Sequence, residues 1–225
     1  MELLKKLTLA FIVALWICFL GYASVKNYSV YLSDTLLPYN SEAEYRVQYL
    51  QIRGLASEEQ ERRINAILKN SILEWLNQDS MWISKCQIEI PYQSPEYLSI
   101  CYRSADNDSE LDRPRICICI TIDITAQRRM YLSDFVDRNY LESYLTGYEY
   151  ETEFSPPISL PEAQNIIRYA SMSESEYMRE MAAQDELAPS FTKSYLSCKP
   201  SFYLTENSIV IIRDEYDLNN ITIER

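Results

Sequence analysis

The chain has 225 residues, of which 47% are hydrophobic, and a formal net charge of −12 at neutral pH. This length and apolar content are enough for one ordinary domain with a hydrophobic core, and they exclude a disordered protein. The negative charge keeps such a protein soluble, disfavours nucleic acid as a partner and attracts basic partners.

The first segment is apolar. No charged residue lies between Lys6 and Lys26, and this run is just long enough to span the hydrocarbon core of a membrane. Residues 7–25 therefore predict a membrane anchor with its lysine end in the cytoplasm. The alternative is a signal peptide cleaved near Ala23, where small residues occur. Both alternatives place the remaining chain outside the cytoplasm, on a single-pass cell-membrane protein or in a secreted one.

A strand and a helix are predicted next. Tyr45–Ile52 has strand character and ends at Arg53 and Gly54. The segment from Ser57 to Gln60 matches a capping box, in which the serine caps the helix and the glutamine reaches back. Apolar residues then recur at helical spacing, which predicts that one face packs on a sheet. These residues are Ile64, Ile67, Leu68, Ile72, Trp75 and Leu76.

The middle of the chain predicts an antiparallel sheet. Cys86–Tyr92 and Tyr97–Arg103 flank a Ser-Pro turn and form a predicted hairpin. Isoleucines then alternate with smaller or polar residues from Ile116 to Ile124, which is the period of a strand, and we expect them to face the core. Asp123 is predicted to end this strand and bond to the following turn.

The last third predicts helices and a closing hairpin. One or two short helices are expected over Tyr131–Leu145, and capping boxes at Ser159 and Ser173 begin two more. Strands over Ser201–Thr205 and Ser208–Arg213 are separated by a tight turn.

The predicted fold class is α+β, with an antiparallel sheet and helices packed mainly on one face, after an N-terminal membrane helix or signal peptide. The expected division is an anchor or signal over 1–25, a connecting segment over 26–42 and one extracytoplasmic domain over 43–225. Only three glycines occur, and no linker or internal repeat divides that domain.

Two stretches resemble the DUF3298/RsiV-type extracytoplasmic domains. Residues 115–135 match that family's strand, turn and a segment that here contains Leu132, Asp134 and Phe135. Residues 201–218 resemble its closing hairpin, including a tyrosine at Tyr216. The early helix also suits the family, so the resemblance covers about residues 43–224.

The resemblance implies a domain displayed outside a Gram-positive-type membrane. In the best understood relatives it is the sensory part of a membrane anti-sigma factor and binds lysozyme, and in others it accompanies cell-wall hydrolases. Two departures matter. Only six residues precede the apolar segment, so we expect no self-contained sigma-factor control. Residues 103–113 replace a Gly/His-containing segment of the family, which puts that segment's ligand contacts in doubt.

The composition argues against catalysis. Histidine is absent, which removes the usual general base and the commonest zinc ligand. No glycine-rich phosphate loop occurs. Asp106, Asp108 and Glu110 alternate as calcium ligands do, but Leu111 stands where an EF-hand needs glycine and Cys117 where it needs glutamate. We therefore predict no catalytic residues, no metal and no cofactor.

Five cysteines lie outside the apolar segment, so they cannot all pair within one chain. Folding the hairpin about the acidic stretch brings Cys101 roughly opposite Cys117, which makes a disulfide between them possible. The alternative is that these cysteines are small buried apolar residues in a reducing setting.

Three functions follow. The first is an extracytoplasmic domain that binds or senses a basic protein such as lysozyme, or a wall component. Its expected contacts are the acidic residues of 105–116 and the surface near Tyr216, and the acidic residues are Asp106, Asp108, Glu110 and Asp112. The second is an accessory subunit that docks onto a membrane protein through an exposed tyrosine-rich apolar patch. The third is an envelope hydrolase with two carboxylates, one of raised pKa.

Overall fold

The computed structural model describes seven stretches of the chain, residues 28–38, 44–76, 86–104, 117–147, 158–187, 199–212 and 220–225. Helices and antiparallel strands make up these stretches, so the predicted α+β class is confirmed. No helix within them is long and apolar enough to cross a membrane. The apolar segment 7–25 lies outside the described residues, and the predicted anchor or signal peptide stays a prediction.

The described elements are nine strands, four α-helices and a short 3-10 helix at Leu132–Asp134. The strands are β1 Ser29–Pro38, β2 Glu44–Arg53, β3 Cys86–Gln93, β4 Tyr97–Ser104, β5 Cys117–Asp123, β6 Arg128–Met130, β7 Ser201–Leu204, β8 Ser208–Ile212 and β9 Ile221–Glu224. The helices are α1 Glu58–Leu76, α2 Arg138–Thr146, α3 Leu160–Ala170 and α4 Glu174–Leu187.

The first sheet is a hairpin of β1 and β2. Strand β1 lies inside residues 26–42, for which the sequence indicated only a connection. Apolar and polar residues do not alternate cleanly there, because Tyr31 lies between Val30 and Leu32, and the period of two that marks a strand is blurred. The C-terminal strand β9 was also missed.

The second sheet has the order β3-β4-β5-β6, and its strands are antiparallel. The predicted turn between β3 and β4 and the predicted alternation in β5 are confirmed. One face carries the β5 isoleucines, and α1 packs on this face through Ile64, Leu68 and Ile72, each 0% exposed. The expectation that the isoleucines face the core is therefore confirmed for Ile118, Ile120, Ile122 and Ile124, and Ile116 lies outside the described residues.

The opposite face of the second sheet carries small residues, Ser99 and Cys101 on β4 and Cys119 and Thr121 on β5. Because these side chains are short, β7 approaches closely, and the Leu204 amide donates to Ser99 Oγ over 3.1 Å. The hydroxyls of Ser99 and Thr121 bond to each other over 2.8 Å.

A third sheet of order β7-β8-β9 completes the described fold, and α2 and α3 pack on it in a second hydrophobic cluster. The strands thus form three sheets where the sequence suggested one, with α1 packed on the second sheet and α2 and α3 packed on the third. The small residues at Ser99, Cys101, Cys119 and Thr121 explain the difference, since they let a sheet cover the face opposite α1.

The first predicted capping box forms only in part. The Gln60 amide donates to Ser57 Oγ over 3.3 Å, as a capping serine requires. The Gln60 side chain does not complete the box, because its Nε2 donates to the Ile124 carbonyl over 2.7 Å. Gln60 therefore ties the start of α1 to the end of β5.

The other two boxes differ from each other. Ser159 is the N-cap of α3, but its side chain makes no capping hydrogen bond, so this box is wrong. At α4 both bonds form, since the Ser173 amide donates to Glu176 Oε2 over 2.9 Å and the Glu176 amide donates to Ser173 Oγ over 3.3 Å. Helix α4 ends at Leu187, before Pro189, as predicted.

Candidate functional site

The five residues predicted to contact a partner, Asp106, Asp108, Glu110, Asp112 and Tyr216, lie outside the described residues. The structure does describe where their two segments join the fold. Residues 105–116 follow β4 and precede β5, and residues 213–219 follow β8 and precede β9. The described residues on either side of the two segments show where each segment joins the fold.

The junctions lie together. Cys117, the first residue after the 105–116 segment, is buried in a small cluster with Ile212, the last residue before the 213–219 segment. Cys101 and Cys119 complete the buried part of this cluster. Arg103 is the register partner of Cys117, so the first segment leaves and re-enters the sheet at the same end of β4 and β5. Both segments therefore begin beside the same cluster, at what we term the acidic end.

The two segments share an excess of carboxylates. Residues 105–116 contain four acidic residues and two arginines, and residues 213–219 contain three acidic residues and one arginine. Each segment therefore carries a net negative charge, and negative charge attracts cations and basic proteins.

A disulfide lies directly beneath the acidic end. It joins Cys101 to Cys119, with a Cα–Cα distance of 4.2 Å. The predicted pairing of Cys101 with Cys117 is wrong, because the register places Cys119 opposite Cys101 and Cys117 opposite Arg103. The error is one of register by two residues, which leaves a cysteine on the same face of the strand.

Arg103 contributes a positive charge at the base of the acidic end. Its Nε donates to Glu89 Oε2 over 3.1 Å, across the β3–β4 pair. The Arg103 side chain is 20% exposed and that of Glu89 is 43% exposed, so the pair is only partly shielded from solvent. The pair joins the last residues of β4 to β3, just before the first acidic segment starts.

The opposite end of the second sheet, the turn end, is closed by hydrogen bonds. Ser94 Oγ accepts from the Tyr97 amide over 2.9 Å and from the Glu96 amide over 3.2 Å, which fixes the β3–β4 turn. Asp123 Oδ1 accepts from the Ala126 amide over 2.7 Å, as predicted for this strand-end residue. The Ile124 amide also donates to the Glu96 carbonyl over 2.7 Å, which joins the two turns.

Asp134, one of the residues that carry the family resemblance, is structural. Its carboxylate accepts from both terminal nitrogens of Arg128, over 3.0 and 3.1 Å, and from the Tyr131 amide over 2.7 Å. The Arg128 hydrogen bond is the main cause that lowers the pKa of Asp134. This residue therefore fastens the 3-10 helix to the β5–β6 hairpin, and we assign it no ligand.

A groove that the sequence did not indicate lies between β2 and α1. Its volume is about 410 Å³, and its lining is mixed in charge, formed by Gln51, Glu58, Glu61, Arg62, Asn65, Ala66 and Lys69. Two of these side chains are occupied by the fold. Asn65 bonds both the amide and the carbonyl of Ile52, over 2.7 and 3.0 Å, and Glu61 accepts from the Gly54 amide over 2.8 Å. Asn65 and Glu61 thus bond backbone groups near the end of β2 and just after it.

The carboxylates of the described stretches with clearly shifted pKa values, Asp134 and Glu176, are both shifted downward. Hydrogen bonds from Ser173 are the largest cause at Glu176. A general acid of a glycoside hydrolase needs a raised pKa, and neither residue has one. Within the described part of the chain, no three metal-ligating side chains are grouped so that they could hold an ion.

No family model and no curated protein matches the chain. Among solved structures, it is similar to a member of the DUF3298 family from Bacteroides fragilis NCTC 9343, at 10% identity and a TM-score of 0.38, with 89% of this chain and 91% of that chain covered. It is also similar to a DUF3298 family protein from Pseudomonas aeruginosa PAO1, at 11% identity and a TM-score of 0.35, with 88% of this chain and 89% of that chain covered.

Both descriptions name the family that the sequence motifs resemble. Likeness at TM-scores below 0.5 carries no conclusion about what this chain binds or does. The RsiV-type sensory role stays a prediction.

Proposed function

We propose that the chain is a non-catalytic binding domain of a bacterial cell-envelope protein, displayed outside the cytoplasm. Its ligand is a basic protein, for which lysozyme is the first candidate, or a wall component. The binding surface comprises the two acidic segments 105–116 and 213–219 at the acidic end of the second sheet.

One observation carries the proposal. Cys117 and Ile212, the residues at which the two segments join the fold, pack in the same buried cluster. Two stretches that are about 100 residues apart in the sequence thus start from one place, and both are rich in carboxylates. Joined in this way, they supply one surface with the charge that steers a basic protein.

The base of this surface is suited to hold its shape. The Cys101–Cys119 disulfide and the Arg103–Glu89 ion pair cross-link β4 to both of its neighbours, β5 and β3. Binding residues work best on a rigid support, because less entropy is lost when the ligand is ordered against them.

The accessory-subunit alternative receives less support. It predicts an exposed patch rich in tyrosine, whereas the exposed large apolar side chains in the described stretches are mostly aliphatic. They are Leu32, Leu36, Ile90, Tyr140 and Leu160.

The test is calorimetric titration of the full chain with lysozyme at low and at physiological salt. We expect saturable binding that weakens as salt rises, because screening reduces the attraction of a basic ligand. The triple reversal Asp106→Lys, Asp108→Lys and Asp112→Lys is expected to weaken binding at least about tenfold at low salt.

The matched control is a second triple reversal, Glu58→Lys, Glu96→Lys and Glu206→Lys, at exposed positions away from the acidic end. It changes the net charge by the same amount, so it separates the local surface from the overall field. Equal losses in the two triple variants mean that only net charge matters, and that result refutes the assigned surface. Absence of binding by the unmodified chain refutes lysozyme as the ligand.

A further inference from the structure

The outer edge of β1 is the surface that the proposed function leaves unused. Strand β1 pairs with β2 on one side only, and no described strand pairs with its other side. It is ten residues long, and its one charged residue is Asp34. Natural edge strands of this length are usually blocked by lysine, proline or a bulge, and β1 has a proline only at its last position.

The hydrogen bonds around Ile52 establish which backbone groups of β1 point outward. The Ile52 amide and carbonyl both bond the Asn65 side chain, so they point away from β1. In an antiparallel ladder the two groups of a residue point to the same side, and residues directly opposite share this arrangement. Because Val30 is the partner of Ile52, Val30, Leu32, Asp34 and Leu36 present their amides and carbonyls to the outer edge.

Two of these residues also expose apolar side chains. Leu32 is 51% exposed and Leu36 is 54% exposed, and both lie on the same face as Asp34, two positions to either side of it. Asp34 forms an ion pair with Arg46 over 3.1 Å. The exposed face therefore has two leucines placed symmetrically about one aspartate, with an arginine beside it.

We propose that this edge pairs with the same edge of a second copy of the chain. An antiparallel β1–β1 pair centred on Asp34 places Leu32 opposite Leu36 of the partner subunit, and the outward amides and carbonyls of both strands bond each other. The two hairpins then form one continuous four-stranded sheet, which is more stable in water than an isolated hairpin.

The charges at this face are compatible with a second copy of the chain. The chain as a whole carries −12, so two copies repel each other over most of their surface. At this face each Asp34 is paired with the Arg46 of its own copy over 3.1 Å, so the charge of the two aspartates that meet at the symmetry axis is balanced within each copy. The face is therefore both neutral and self-complementary, so two acidic chains can meet there.

The test measures the mass of the full chain in mild detergent by light scattering over a range of concentrations. We expect a dimer, and we expect the double variant Leu32→Lys and Leu36→Lys to raise its dissociation constant at least about tenfold, since lysine resists burial. The matched control is Leu160→Lys, at a leucine that is also 51% exposed but lies on α3, and it should leave the mass unchanged. A monomer in the unmodified chain, or an equal effect of both variants, overturns the proposal.

Cross-linking tests the register and does not depend on the lysine variants being folded. Asp34→Cys lies opposite itself across the axis and is expected to form a covalent dimer that reductant reverses, since residues directly opposite in a ladder are within disulfide range. Leu32→Cys lies opposite Leu36 of the partner subunit and should give no more covalent dimer than the unmodified chain. Equal cross-linking at both positions overturns the pairing.

Discussion

The two ends of the second sheet differ in how the backbone leaves it. At the turn end, the connections are short, and Ser94 and Asp123 fix them by side-chain hydrogen bonds to backbone amides. At the acidic end, the connection between β4 and β5 is twelve residues long, and what holds the strands together is the Cys101–Cys119 disulfide and the Arg103–Glu89 pair.

This difference suggests that the turn end serves stability and the acidic end serves binding. Polar side chains such as Ser94 and Asp123 already accept hydrogen bonds from backbone amides. They therefore stabilise the fold and are not available to bind a ligand. Where a covalent bond and an ion pair hold the strands, the carboxylates of the adjoining segments do not have to stabilise the turn. Changes at the turn end should therefore alter stability, and charge changes at the acidic end should alter binding.

The largest expected effect on stability is loss of the disulfide. Cys101 and Cys119 are 18 residues apart, and closing a loop of this size stabilises a fold by about 3 kcal/mol in the chain-entropy model. The double variant Cys101→Ser and Cys119→Ser should lower the free energy of unfolding by about this amount. Urea denaturation under oxidising conditions measures it.

Cys117→Ala is the control for this prediction. It keeps the Cys101–Cys119 bond, so reductant should still lower its unfolding midpoint, and peptide mapping should find that bond intact. An unmodified chain that unfolds at the same urea concentration with and without reductant means that the cysteines are simply buried thiols.

The cysteines also show where prediction from sequence reached its limit. The alternation of isoleucines in β5 indicates which face is buried, and the structure confirms it. It does not give the register, because Cys117 and Cys119 lie on the same face and either could meet Cys101. The register follows from the hydrogen-bonded turn that places Tyr97 opposite Asp123, and a propensity pattern does not contain that information.

Capping shows the same limit on a smaller scale. Ser57, Ser159 and Ser173 all begin matches to one motif, yet only Ser173 and Glu176 form both bonds. The Gln60 side chain instead donates a hydrogen bond to the Ile124 carbonyl, which is 64 residues away in the sequence. A local motif predicts a helix start well, but tertiary partners decide where the side chains bond. The acidic stretch within 105–116 was identified from its composition and Tyr216 from the family resemblance, whereas the common place at which the two segments join the fold is known only from the structure.

The second largest effect is expected at Ser99, which joins the second sheet to β7. Its Oγ accepts from the Leu204 amide and bonds the Thr121 hydroxyl, and both Ser99 and Thr121 are 0% exposed. Ser99→Ala leaves two buried polar groups without this partner and should cost about 2 kcal/mol. Urea denaturation measures the loss, and Ser133→Ala, at an exposed serine of the 3-10 helix, should change stability by less than about 0.5 kcal/mol.

A smaller and pH-dependent effect is expected at Asp134, beside the turn end. Arg128 lowers the pKa of this carboxyl, so the unfolded chain, whose aspartate pKa is near 3.9, binds the proton more readily. The stabilisation is therefore fully present above about pH 4 to 5 and is lost as the pH falls through the lower folded pKa. Asp134→Asn should cost about 1 kcal/mol at neutral pH, a figure reduced for the half-exposed Arg128.

The measurement for Asp134 is the unfolding free energy of both chains between pH 7 and pH 3. The gap between them should narrow below about pH 4, whereas Glu206→Gln, at an exposed turn residue, should show no such trend. A gap that stays constant down to pH 3 contradicts the assigned role of the Asp134 charge.

The smallest expected loss of stability is at Ser94, and this variant tests most directly whether the turn end affects binding. Ser94→Ala removes the acceptor for the Glu96 and Tyr97 amides. It should cost about 0.5 kcal/mol, because the bond to the Glu96 amide is exposed and the bond to the Tyr97 amide is only partly buried, so water can largely replace the serine. Its affinity for lysozyme should equal that of the unmodified chain. The triple reversal at Asp106, Asp108 and Asp112 should show the opposite result, with affinity lost and stability little changed. If Ser94→Ala weakens binding as much as the reversals do, the two ends are coupled, and the separate roles assigned to them are wrong.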